Sequence, residues 1–199
     1  MSATPTQANA ETNEQNVPLT KKTFFSWFKE MFIFFWITSL IGHYWEVIWA
    51  VFKHNILGEA YFGPAKVTIT PIAAPYGLGA LVIILFVLPL MKKYKLNPLA
   101  VCVLNIFIAG LVEYVCAAVL VLIFGANHFW NYSNEMFNLN GFICLRNTMA
   151  FGILSTLYVY YLHPILLNFL RKLTAKNYNV LFWTMFLSYA IDLTYVSLR

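Results

Sequence analysis

The chain has 199 residues, of which 60% are hydrophobic and 11% charged, and its formal net charge is +5. A soluble domain carries about 45–50% apolar and about 25% charged residues. The apolar excess is gathered into runs close to the roughly 20 residues that cross a hydrocarbon core of about 30 Å, which excludes an ordinary soluble domain. The basic residues sit dispersed at the ends of those runs, a topological pattern and not a nucleic-acid-binding stripe.

Residues 1–20 are rich in Thr, Gln, Asn and Glu, nearly lack large apolar side chains, and predict a disordered cytoplasmic tail. Residues 21–30 mix Lys21, Lys22 and Lys29 with Phe24, Phe25, Trp27 and Phe28, the composition of an interfacial aromatic and basic segment. Residues 31–199 predict an all-α membrane domain of about five spans, at 31–52, 72–91, 98–124, 143–167 and 178–197. With the N-terminus inside, the inner segments hold Lys21, Lys22, Lys29, Lys92, Lys93, Lys95, Arg171, Lys172 and Lys176, and the outer ones Lys53, Lys66, Arg146 and Arg199. That asymmetry places the C-terminus outside. Two longer connections, 53–71 and 125–141, then lie outside, the second dense in aromatics and asparagines and expected to fold as a cap or a partly re-entrant loop.

Carboxylates inside such spans are informative, because each costs about 2.5–3.5 kcal/mol at a helix centre and so faces the bundle interior. At about 1.5 Å per residue, Glu46 lies about 9 Å below Phe52, Glu113 about 16 Å below Phe124 and Asp192 about 8 Å below Ser197. All three fall in the outer half or near the midplane. His43 shares a helical face with Glu46, and Arg146 opens the fourth span from the same side. These residues predict a polar cluster in which Arg146 pairs one or two of the acids, with Tyr132, Asn138 and Asn140 as a lid. Three acids against one arginine favour a bound cation, a proton or a cationic ligand group. The competing reading is structural ion-pair glue between helices.

The run from Pro75 to Ala80, Pro-Tyr-Gly-Leu-Gly-Ala, weakens the first turns of the second span and lets a neighbour approach closely. Asn105 is expected to hydrogen-bond across helices, and His163-Pro164 to mark a kink. Cys102, Cys116 and Cys144 lack the spacing of a metal or redox motif and are expected to pack as small apolar residues. No phosphate-binding G-x-x-x-x-G-K-[ST], H-E-x-x-H or G-x-S-x-G occurs, so neither a catalytic constellation nor a cofactor is expected.

From the third span onward the chain carries Glu113-Tyr114, then Trp130-Asn131-Tyr132-Ser133, then Phe137-Asn138-Leu139-Asn140-Gly141-Phe142-Ile143-Cys144-Leu145, then Phe151-Gly152. Earlier stand Gly42-His43-Tyr44-Trp45-Glu46, Phe62-Gly63-Pro64 and the Pro75–Ala80 run. In order these resemble the Putative ABC-transporter type IV family of small bacterial membrane permeases, from about Phe34 to Lys172, with a longer stretch between Pro64 and Pro75 than that pattern has. Asn131 stands where that pattern has an acid and Phe142 where an arginine is common, with Arg146 one turn later. The resemblance implies a multi-pass cell-membrane protein with a transport role. A separate ATPase subunit would supply the energy, and a small solute or cation would be carried. The alternatives are a non-transporting membrane sensor or an accessory subunit of a membrane complex. Membrane lipid is the expected surroundings in either case, and no nucleic acid is expected.

Overall fold

Helix ends in this chain are set by short polar caps beside long apolar runs. The Thr23 hydroxyl accepts from the Ser26 N–H, Asn97 Oδ1 from the Ala100 N–H at 2.8 Å, and the Thr174 hydroxyl from the Asn177 N–H. Each satisfies one of the donors that a first helical turn leaves open. Gly58 and Gly125 close two helices at their other ends in the left-handed conformation that glycine adopts without strain. The computed structural model describes residues 23–58, 60, 68–127 and 129–198. The expected tail at 1–20, Lys21, Lys22, Phe62-Gly63-Pro64, Lys66, His128 and Arg199 therefore lie outside the described residues.

Five helices are long and apolar enough to cross a membrane: α1 (Phe24–Leu57), α2 (Ala74–Tyr94), α3 (Pro98–Phe124), α4 (Leu145–Lys172) and α5 (Ala175–Ser197). They match the five expected spans in order. The expected bounds are too short at several ends: α1 starts at the Thr23 cap and takes in Phe24–Glu30, and α5 starts at the Thr174 cap. A two-stranded antiparallel ribbon, β1 (Asn138–Leu139) and β2 (Ile143–Cys144), precedes α4, with Asn138 opposite Cys144 and Leu139 opposite Ile143.

Both α2 and α4 carry a π-helical turn, at Ile83–Val87 and Tyr158–Leu162. Each ends just before a proline, Pro89 or Pro164. A proline lacks the N–H for the helical ladder and crowds the carbonyl four residues back, and a wider turn moves that carbonyl aside. The expected irregularity at His163-Pro164 thus takes the form of a wide turn, with a counterpart in α2. Side chains of the two turns meet in one core, formed by Ala80, Ile83, Val87, Val101, Tyr158 and Val159. A second core joins α1, α4 and α5 through Ile33, Phe34, Leu170, Phe182 and Met185.

Small residues bring the helices close. The α carbon of Gly152 on α4 lies so near Ile106 on α3 that a Cβ would overlap Ile106 backbone atoms, and one at Gly77 on α2 would overlap the Phe35 carbonyl oxygen on α1. Close backbone approach is how helices associate in lipid, where no hydrophobic force drives them together. Asn105, fully buried on α3, donates to the Thr156 hydroxyl on α4 at 3.1 Å, the cross-helix bond expected for it. Outward, Leu99, Val103, Phe107, Leu111, Val115 and Val119 repeat every four residues on α3 and stay exposed, an apolar stripe suited to acyl chains. At the opposite pole from the ribbon, Lys29 ties α1 to α5 by donating to Asn179 Oδ1 at 2.6 Å, with its ammonium over the Phe25 and Phe182 rings.

Candidate functional site

The connection between α3 and α4 folds back on itself around an Asn-Gly turn. Asn140 and Gly141 both have positive φ, 55° and 69°, and the Phe142 N–H reaches the Leu139 carbonyl at 3.0 Å, the arrangement of a type I′ hairpin turn. A side chain at Gly141 would be strained by its φ and would strike the Ser133 hydroxyl. The Tyr132 N–H donates to the Gly141 carbonyl at 2.9 Å, the Trp130 indole N–H to the Phe142 carbonyl at 2.9 Å, and the Asn138 amide to the Ser133 and Glu135 carbonyls. Asn140 is anchored to α3 by donating to the Tyr114 hydroxyl at 2.8 Å. Asn138 and Asn140 thus hold the cap together and dock it.

Held in this way, Tyr132 reaches into the bundle and donates its hydroxyl to Glu113 Oε1 at 3.0 Å. The Asn147 amide, from the first turn of α4, hydrogen-bonds the same phenol. Burial, and then the neighbouring Glu113 charge, push the Tyr132 phenol well above its ordinary value, so it remains a proton donor across the physiological range. On the other flank Glu46 of α1 is hydrogen-bonded to Tyr76 of α2, whose hydroxyl lies within electrostatic reach of Glu113 and Tyr132. Gly42 lies directly beneath the Tyr76 ring, and Phe151 meets that ring edge-on at 5.6 Å. Two carboxylates from different helices thus each hold a phenol, and the two pairs lie within electrostatic reach of one another.

Glu113 and Asn147 are 9% and 8% exposed. Among the described residues, no hydrogen-bond donor meets Glu113 Oε2 or Asn147 Oδ1, and the neighbouring Thr148 hydroxyl is also unengaged. An unmet buried acceptor costs about 1–3 kcal/mol, so two of them, one on a carboxylate, form a place that favours positive charge or a proton. No three His, Cys, Asp or Glu residues converge as ligands of a metal ion among the described residues.

The other residues singled out from the sequence lie around this core. His43 is half-buried one turn before Glu46, its ring perpendicular to that of Tyr44. Arg146 forms an ion pair at 2.8 Å with Glu135 of the cap, an acid to which the sequence reading gave no role. Asp192, 1% exposed, accepts the Ile69 and Thr70 N–H groups at 2.8 and 3.0 Å through Oδ1. It fastens the α1–α2 connection to α5. Asp192→Ala removes both acceptor bonds and is expected to cost about 2–4 kcal/mol, read as a lowered melting temperature, with Asp192→Asn losing less because it keeps an acceptor.

Tyr76, Tyr114, Asn147 and Glu135 entered the arrangement unanticipated. Tyr76 stood inside a glycine-bearing run whose packing value hid it, and Asn147 follows Arg146 by one residue at a span start, where polar side chains are commonplace. The Asn140-Gly141 pair was a readable hairpin signal.

No curated protein and no solved structure matches the chain. A family model described as Putative ABC-transporter type IV matches residues 33–197, a stretch that begins in α1, contains Glu46, Tyr76, Glu113, Tyr132 and Asn147, and ends with α5. By that match the chain belongs to the Putative ABC-transporter type IV family.

Proposed function

We propose that this chain is the membrane subunit of a transporter, energised by a separate ATPase, and that Glu46, Tyr76, Glu113, Tyr132 and Asn147 form its solute site. The family supports the transport role. The buried Glu113 carboxylate, with one oxygen held by Tyr132 and the other unmet, and with Asn147 on the same phenol also carrying an unmet acceptor, carries the assignment of the site. These two unmet acceptors suit a small cation or a protonated amine, whose N–H groups would complete both of them. The hairpin cap covers one side, and the Arg146–Glu135 pair steadies the junction of cap and α4. Of the residues named from the sequence, His43 contributes at the rim, whereas Asp192 acts on the neighbouring connection.

The test is ATP hydrolysis by the full chain purified from its native membrane with the subunits that remain attached. Ammonium, methylammonium, larger protonated amines and alkali cations are added in turn. Stimulation by one of these, with uptake of the same ion into vesicles, is the expected result. Repeated recovery of one non-ATPase protein, with no hydrolysis under any condition, would sink the proposal in favour of an accessory membrane protein.

A further inference from the structure

At the end of the bundle away from the hairpin, α1, α2 and α4 part to leave a crevice of about 380 Å³. Its walls change character with depth. Lys92 of α2 and Arg171 of α4 stand exposed at its mouth, with Glu30 of α1 on the facing wall, while Leu88 and Leu167 lie along its sides. His163 is set deeper, stacked on Phe34 at 5.1 Å and met edge-on by Tyr158 at 5.8 Å. Along α4, His163 and Arg171 are separated by about 12 Å at about 1.5 Å per residue, so the crevice runs from a charged rim into the apolar interior. The π-helical turns of α2 and α4 end where it begins, and Pro89 lines it.

A phosphate needs cations that converge on it, and a lipid needs in addition an apolar path beneath its headgroup. Both are present. Lys92 and Arg171 outweigh Glu30 in charge, Arg171 presents the fork that grips two phosphate oxygens, and the Leu88 and Leu167 walls continue inward where an acyl chain would lie. Basic pockets between membrane helices hold anionic headgroups in this way. We infer that this crevice binds the phosphate of an anionic lipid headgroup, with Lys92 and Arg171 as its ligands and His163 at its floor. The site is separate from the carboxylate cluster, and neither assignment depends on the other.

The experiment uses the full chain in detergent, titrated with short-chain phosphatidylglycerol, short-chain phosphatidylcholine and inorganic phosphate, with melting temperature and native mass spectrometry as readouts. Phosphatidylglycerol is expected to bind best. The double variant Lys92→Gln/Arg171→Gln should weaken it about tenfold or more, whereas Lys93→Gln/Lys172→Gln, which removes the adjacent cations outside the crevice, should change it less than about twofold. Because Lys92 and Arg171 are exposed, the unliganded melting temperature should hold in both. Equal weakening by the two double variants would reduce the effect to general surface attraction and overturn the inference. So would crevice-dependent binding of inorganic phosphate without binding of the lipid, which would make the ligand a free anion.

Discussion

Glu113→Gln is expected to abolish cation-stimulated ATP hydrolysis and uptake, by at least about tenfold, while the protein folds and inserts as before. The substitution conserves shape. The Tyr132 hydroxyl can still donate to the remaining carbonyl oxygen, so the cap keeps its anchor at the 3.0 Å contact. What is lost is the negative charge, and the unmet Oε2 acceptor becomes an N–H₂ donor that repels a cation's own donors. A charge-assisted hydrogen bond contributes about 1.5–3 kcal/mol, and each step of about 1.4 kcal/mol is tenfold in affinity. Tyr132→Phe should have a smaller effect, because it frees Glu113 Oε1 without removing charge. Unchanged uptake in Glu113→Gln, at normal expression, would remove Glu113 from the site.

Gly152→Ala is expected to lower stability by about 1–3 kcal/mol, and Gly152→Leu to keep the folded protein from accumulating. A single added methyl group at Gly152 meets the Ile106 backbone, which cannot turn away as a side chain would. The α3–α4 contact must then open, and with it the buried Asn105–Thr156 bond and the placement of Asn147 against the Tyr132 phenol. Gly79→Ala is the matched comparison. It lies on α2 with open space around it, so the same methyl group should be neutral or stabilise by up to about 1 kcal/mol through helix propensity. Thermal melting of the two variants in one detergent checks the pair, and equal melting temperatures would show that the α3–α4 approach is looser than described.

Hydropathy located all five helices because the apolar runs leave no other use for themselves in a bilayer. It placed their ends less well. The aromatic and basic stretch from Phe24 to Glu30 resembles an interfacial segment in composition, yet its Phe25 and Phe28 rings meet Phe182 edge-on, so it continues α1 along α5. Glu113 and Tyr132, which one hydrogen bond joins, both stood out in the sequence, Glu113 because a carboxylate at depth is expensive and Tyr132 as part of the aromatic outer loop. Arg146 was harder to assign. Its charge drew it toward the buried acids on paper. Glu135 reads in sequence as an ordinary loop acid, yet the hairpin brings it within 2.8 Å of the guanidinium. Tyr76 and Asn147 depended on helix–helix placement, which one chain's pattern does not encode.

The wide turns in α2 and α4 also set the rotational phase of what they connect. Asn147 and His163 are 16 residues apart, as are Tyr76 and Lys92. At about 100° per residue that spacing turns the second residue about 160° from the first. One surplus residue absorbed in a wide turn brings the offset down to about 60°. On both helices, then, a single inserted residue lets one face serve the carboxylate cluster above and the basic crevice below. Deleting one residue from either turn would leave every ligand of both sites intact in sequence and swing the two halves out of register.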